Sequence, residues 1–397
     1  MCRSSLKILM LTQFLDPTRG GGESMFYQIA SELSKRGHKI SIIKHKIIGK
    51  EYTYNNNNIK VVEVYPAIEH KGRLPASFLQ NFLYIINCVR SGLKIIKSEK
   101  VHVIHANNYS PVFAGWLISK LTHRPLVVTI HDVASLHGVD FWKKWMRQFG
   151  GLSYLKSVIG YIAELLTIRL AKNIHTVSTT SKNDILKLFP WKRKHNLCVI
   201  PNGISLEYYD IPDIDEIRYE DEIAFIGRLV FYKNLDVVLK AVSIVPRNNF
   251  KLTVLGNGPM RNHWEKLAIE YGVSKKVNFR GYVSHGEKLK VLRRVSALVL
   301  PSIFEGFGIV ILEAWAFKKP VIVADVSPLN EIVEHGRDGF VADPYNPEEW
   351  AKYIKMLLED RDLARKIGEN GCRKLIDQYT VEKTVNKFEQ LYKEVVK

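Results

Sequence analysis

Cysteine is scarce: four residues in 397, Cys2, Cys88, Cys198 and Cys372, with no C-x-x-C pair. This spacing argues against a disulfide framework or a zinc finger and suits a reducing compartment, with the thiols acting as small core residues. There is no H-E-x-x-H, so that metalloenzyme pattern is excluded. Long uncharged apolar runs are also missing. Arg90 interrupts the stretch Phe78 to Ile96, and Lys156, Glu164 and Arg169 interrupt Leu152 to Leu170, so neither reads as a membrane span. The first ten residues carry Arg3 and Lys7 before a short apolar run. Without a small-residue cleavage site, that run reads as a first strand rather than a leader, and the expected compartment is the cytoplasm.

Acidic residues are few in one half only. The first 200 residues hold 29 Lys/Arg against 11 Asp/Glu, while residues 201–397 hold 29 of each. The whole net charge of +18 therefore sits in the first half, where its field attracts phosphates, nucleic acid or an anionic membrane. A hydrophobic content of 46% with 25% charged residues is that of a folded chain. Its length exceeds one core, so two domains are expected.

Short β-branched segments alternate with amphipathic helical ones. In the first half the strand candidates are 7–12, 39–44, 61–65, 101–105, 126–130 and 174–177. In the second they are 223–226, 251–255, 277–280, 297–300 and 321–324. Strands without polar alternation suit parallel sheets covered on both faces. The acidic, proline-containing segment 210–222 reads as a linker, and the polar run 55–58 as a loop tip. The expectation is α/β: two Rossmann-like, doubly wound parallel-sheet domains facing across a cleft. Residues 1–200 form an acceptor-side domain and 201–378 a donor domain, with a C-terminal helix, 379–397, packing back on the first. Ligands of such sheets bind beyond the carboxyl ends of the strands.

The chemistry-bearing residues lie at those strand exits. Pro301-Ser302-Ile303-Phe304-Glu305-Gly306-Phe307-Gly308-Ile309 follows a strand and opens a helix that carries Glu313. Gly306 and Gly308 admit a ligand close to backbone, the amides around Ile309 suit a phosphate, and carboxylates accept hydrogen bonds from sugar hydroxyls. Gly227-Arg228 with Lys233 follows another strand, and two cations there would neutralise a leaving diphosphate. In the first half, Arg19-Gly20-Gly21-Gly22-Glu23 joins strand to helix, with Gly22 the contact residue. His131 and Asp132 follow the strand 126–130, and His105 has a similar placement.

These residues resemble the retaining glycosyltransferases of family 4, which share the GT-B fold. The matching features, in order, are Gly20 to Glu23 with Arg36-Gly37-His38, Ile200-Pro201-Asn202-Gly203, Gly227-Arg228 with Lys233, Leu255-Gly256-Asn257-Gly258-Pro259, and Glu305 to Glu313. The resemblance implies catalytic roles for Glu305, Arg228, Lys233 and His131. It implies donor binding by Gly22, Asn202, Val283, Phe307, Gly308, Ile309 and Glu313, with Glu305 on the donor sugar, Glu313 on the ribose and Val283 beside the base. It further implies a UDP- or GDP-hexose donor, a saccharide or lipid-linked acceptor, and neither metal nor cofactor, the cations and helix start replacing a divalent ion.

A sugar-nucleotide epimerase of the same architecture is the alternative enzyme, but it would need acid/base groups around the sugar. A nucleic-acid-binding protein is a third reading, weakened by the lack of stacking platforms or a charged recognition helix. Residues 141–169 interleave Phe141, Trp142, Trp145, Phe149 and Tyr154 with Lys143, Lys144, Arg147 and Lys156. That mixture suits a lipid interface, so the basic half is expected to touch an anionic membrane peripherally.

Overall fold

The computed structural model describes residues 5–15, 21–49, 58–69, 77–149, 154–193, 197–209, 218–247 and 249–397. Arg19, Gly20, most of the polar run at 55–58 and most of the linker at 210–222 lie outside them. The chain divides into two compact units, Met1–Asn202 with Val381–Lys397, and Gly203–Thr380.

In the first unit the elements follow as β1 (Lys7–Leu11), α1 (Gly21–Lys35), β2 (Lys39–Ile47), β3 (Ile59–Ile68), α2 (Phe78–Ser98), β4 (Val103–Asn107), α3 (Ser110–Thr122) and β5 (Leu126–Ile130). Then come α4 (Gly138–Arg147), α5 (Tyr154–Leu170), β6 (Asn173–Thr176), α6 (Thr179–Leu188) and β7 (Leu197–Val199). The strands pair in parallel in the order β3-β2-β1-β4-β5-β6-β7. Side chains alternate across a strand, so β1 sends Leu9 and Leu11 to one face and Ile8 and Met10 to the other. One face packs against α2, α3, α5 and α6 through Tyr84, Ile118, Ile168 and Ile185. The other packs against α1 and the last helix of the chain through Phe26, Leu33, Phe388 and Tyr392.

That last helix, Val381–Val396, is fixed by polar contacts as well as burial. Arg36 donates to Asn386 Oδ1 at 2.6 Å, and His38 Nε2 meets Glu389 Oε1 at 2.9 Å. Gly37, at φ +88°, ends α1 in the left-handed conformation between them. Arg36-Gly37-His38 thus anchors a helix. His105, fully buried, bonds Tyr392 Oη and Thr129 Oγ1 at 2.7 Å each. It is a structural residue of the core.

The second unit holds α7 (Leu206–Tyr209), β8 (Glu222–Ile226), α8 (Leu235–Ile244), β9 (Lys251–Leu255), α9 (Arg261–Glu270), β10 (Val277–Gly281), α10 (His285–Arg294) and β11 (Ala297–Leu300). They are followed by α11 (Ile309–Ala316), β12 (Val321–Ala324), α12 (Leu329–Ile332), β13 (Gly339–Ala342), α13 (Pro347–Glu359) and α14 (Arg361–Gln378). Its parallel strands run β10-β9-β8-β11-β12-β13. Both sheets are doubly wound, and strand order reverses beside β1 and β4 in one and beside β8 and β11 in the other.

Two of the five aromatic residues expected at a lipid interface do not reach the surface, whereas Tyr154 is 63% exposed. Trp142 and Trp145 are buried, because α4 packs on α5 and Gly160 lets α5 approach the Trp142 ring. Among the described residues no helix is long and apolar enough to cross a membrane.

Candidate active site

In the second unit, the loops leaving β8 and β11 lie at the point of strand reversal and are bonded to each other: the Ile303 amide donates to the Tyr232 carbonyl at 2.8 Å. Lys233 and Glu305, one from each loop, form an ion pair and are only 13% exposed. Ser302 Oγ donates to Glu305 Oε1 at 3.1 Å. Arg228 stands exposed on the β8 loop. The loop after β9 supports it, since the Leu229 amide donates to the Asn257 carbonyl at 3.1 Å. A Cβ on Gly256 would lie 1.9 Å from the Gly227 carbonyl oxygen, and one on Gly258 2.3 Å from that of Leu229. These two glycines exist so that one strand-exit loop can lie on the next.

Gly308, at φ +85°, turns the chain into α11 and offers no side-chain cap to the first amides of that helix. Those amides and the helix dipole favour an anion. Phe307 is buried and packs edge-on against Tyr379 at 6.0 Å. Glu313, one turn into α11 and 7% exposed, accepts from Tyr209 Oη at 2.8 Å and from Lys288 Nζ at 2.7 Å. Neither partner was anticipated from sequence. Tyr209 comes from the four-residue α7, and Lys288 is one of many lysines, marked only by the capping box of Ser284 and Glu287 that opens α10. Val283 directly precedes that cap and is partly exposed. The structure therefore brings Arg228, Lys233, Glu305, Gly308 and Ile309 into adjoining loops, with Glu313 a turn deeper.

In the first unit, Gly22 and His131 are neighbours: a Cβ on Gly22 would meet His131 Nε2 at 3.3 Å. His131 Nε2 donates to Asn107 Oδ1 at 2.8 Å, which leaves Nδ1 as an acceptor. Desolvation lowers the His131 pKa from 6.5 to about 4, so the ring is neutral near pH 7. Ser181 Oγ donates to the His131 carbonyl at 2.9 Å. Glu164, buried on α5, accepts from the Ala134 and Ser135 amides just beyond. Burial raises its pKa to about 7. Asn107, Ser181 and Glu164 were not singled out in the sequence, although Asn107 ends β4, the strand at the reversal point. Asn202 is buried but follows β7, with β6 between it and β5, apart from the Gly22–His131 pair.

Residues 213–374 match the family described as Glycosyl transferases group 1, and residues 19–208 match Glycosyltransferase Family 4. The chain is a family 4 glycosyltransferase. This glycosyltransferase is similar to an uncharacterized glycosyltransferase of Methanocaldococcus jannaschii, at 28% identity over 98% of each chain. Among solved structures it resembles sucrose-phosphate synthase from Thermosynechococcus elongatus, with a TM-score of 0.79 and 19% identity over 98% of both chains. It also resembles Anabaena HepE in complex with UDP-glucose, with a TM-score of 0.74 and 19% identity over 98% of this chain and 100% of that one. The fold is GT-B. Membership makes the protein a transferase, the reading preferred above over an epimerase. Two D-x-D triplets do occur in this glycosyltransferase: Asp213-Ile214-Asp215, outside the described residues, and Asp360-Arg361-Asp362, where Asp360 caps α14.

Proposed function

We propose that this glycosyltransferase moves a hexose from UDP or GDP to a saccharide or lipid-linked acceptor, with retention of configuration and without a metal, in the cytoplasm. The carrying observation is the joining of the Arg228–Lys233 loop to the Glu305–Ile309 loop at the strand reversal of the second sheet, with Lys233 paired to Glu305 just ahead of the first amides of α11. As the bond from the sugar C1 to the phosphate oxygen breaks, negative charge develops on the diphosphate. Arg228, Lys233 and the amides at Ile309 stabilise it. The acceptor hydroxyl forms the new bond to C1 on the same face, and its proton passes to the departing diphosphate oxygen, so no side chain need act as base.

Glu305 accepts hydrogen bonds from the sugar hydroxyls and Glu313 from the ribose, while Val283 borders the base and Phe307 and Gly308 shape the loop. For Gly22, the neutral His131 and Asn202, all of the first unit, a part in donor binding rests on the family resemblance alone. The solved HepE complex with UDP-glucose favours a uridine donor. A thermal-shift panel of sugar nucleotides tests the reading, because a ligand of the folded state raises its melting temperature. One sugar nucleotide should stand out, and the product anomer should match that of the donor. No shift with any of them, or an inverted product, would overturn it.

A further inference from the structure

The layer of α2, α3 and α5 has an outer side that is apolar and carries positive charge alone. α3 packs against both α2 and α5, and all three insert into one core on the same sheet face. Phe78 and Phe82 of α2 are 74% and 52% exposed, Leu121 of α3 is 64% exposed, and Leu155, Ile159 and Leu166 of α5 are 66%, 40% and 41% exposed. Steps of four and seven residues place the three α5 side chains on one stripe. These helices hold six exposed Lys or Arg, among them Lys94, Lys156 and Arg169. Their single acid, Glu164, is buried beneath and grips the loop behind His131. The neighbouring α4 adds Lys144 and Arg147 against one exposed acid, Asp140.

We propose that this face docks on an anionic lipid bilayer, its apolar side chains entering the headgroup region and its lysines and arginines meeting lipid phosphates. A second copy of the chain is the poorer occupant, because a self-complementary contact would set these cations against their own like. The proposal deepens the functional reading only in making the acceptor lipid-linked, and vesicle binding is measured separately from donor binding.

The test is flotation of the full chain with phosphatidylglycerol-containing vesicles and with phosphatidylcholine vesicles, at low and high salt. Binding is expected to the anionic vesicles and to weaken as salt rises. The pairs Phe78→Asp/Phe82→Asp, Ile159→Asp/Leu166→Asp and Lys156→Glu/Arg169→Glu should each lower the bound fraction at least about tenfold. Lys275→Glu, in the second unit, should leave it unchanged, and the sugar-nucleotide thermal shift should persist in every variant. Absence of wild-type flotation, flotation indifferent to all three pairs, or a wild-type dimer that the same pairs split would overturn the proposal.

Discussion

The Lys233 ammonium is bound to the Glu305 carboxylate, so the cation proposed to meet the diphosphate is held by the acid proposed to meet the sugar. A diphosphate approaching Lys233 must share it with a like-charged carboxylate. Glu305→Gln should therefore tighten binding of free UDP or GDP by roughly threefold to tenfold while lowering turnover at least about tenfold. Titration calorimetry beside steady-state rates checks this. Equal losses in both would mean that Glu305 serves only to hold the loop.

The glycines after β9 carry a stability prediction. Gly256 has φ +131° and its Cβ would strike the Gly227 carbonyl, whereas Gly286 on α10 has open space. Gly256→Ala should cost about 3 kcal/mol or more and displace the Arg228 loop, and Gly286→Ala should be neutral or slightly stabilising. Denaturant midpoints of the two variants decide it.

Glu313 is held by Tyr209 and Lys288. Removing one partner of a buried carboxylate costs about 1–3 kcal/mol, equivalent to roughly 5- to 150-fold in affinity. Tyr209→Phe and Lys288→Ala should raise the donor KM within that range and leave kcat nearly unchanged. A kcat defect at constant KM would place Glu313 in the chemical step instead.

Acidification should weaken the first unit. His105 and His175 are buried and joined through Thr129, and His175 Nε2 also meets the Ile200 carbonyl at 2.9 Å. Burial lowers the His175 pKa to about 3 and holds that of His105 well below 6.5. The unfolded chain binds these protons at an ordinary 6.5, so stability is whole above that value and is lost as pH falls toward 3. The melting temperature should fall below pH 6.5, and His175→Gln should flatten the slope between pH 6 and pH 4. An unchanged slope would contradict the account.

Much of this was legible in the chain because interior strands of parallel sheets are continuous apolar runs. β5, β9, β11 and β12 fall where the sequence put them, as do the loops after β8 and β11. One edge strand of each sheet escaped: β7 is three partly exposed residues, and β13, four residues, begins at a glycine, leaving little apolar signal. Residues defined by a distant partner escaped as well. Lys288 matters only through Glu313, Asn107 through His131, and Glu164 through the loop it grips. The tryptophans of α4 misled because charge beside an aromatic marks an amphipathic helix, not which side faces out.

The most direct measurement is turnover of the preferred sugar nucleotide by Arg228→Ala and Lys233→Ala, with melting temperatures taken on the same samples. If these cations stabilise the leaving diphosphate, each variant keeps its fold and loses at least about tenfold in kcat, or about 1.4 kcal/mol of transition-state stabilisation. Folded variants that turn over at the wild-type rate would contradict it.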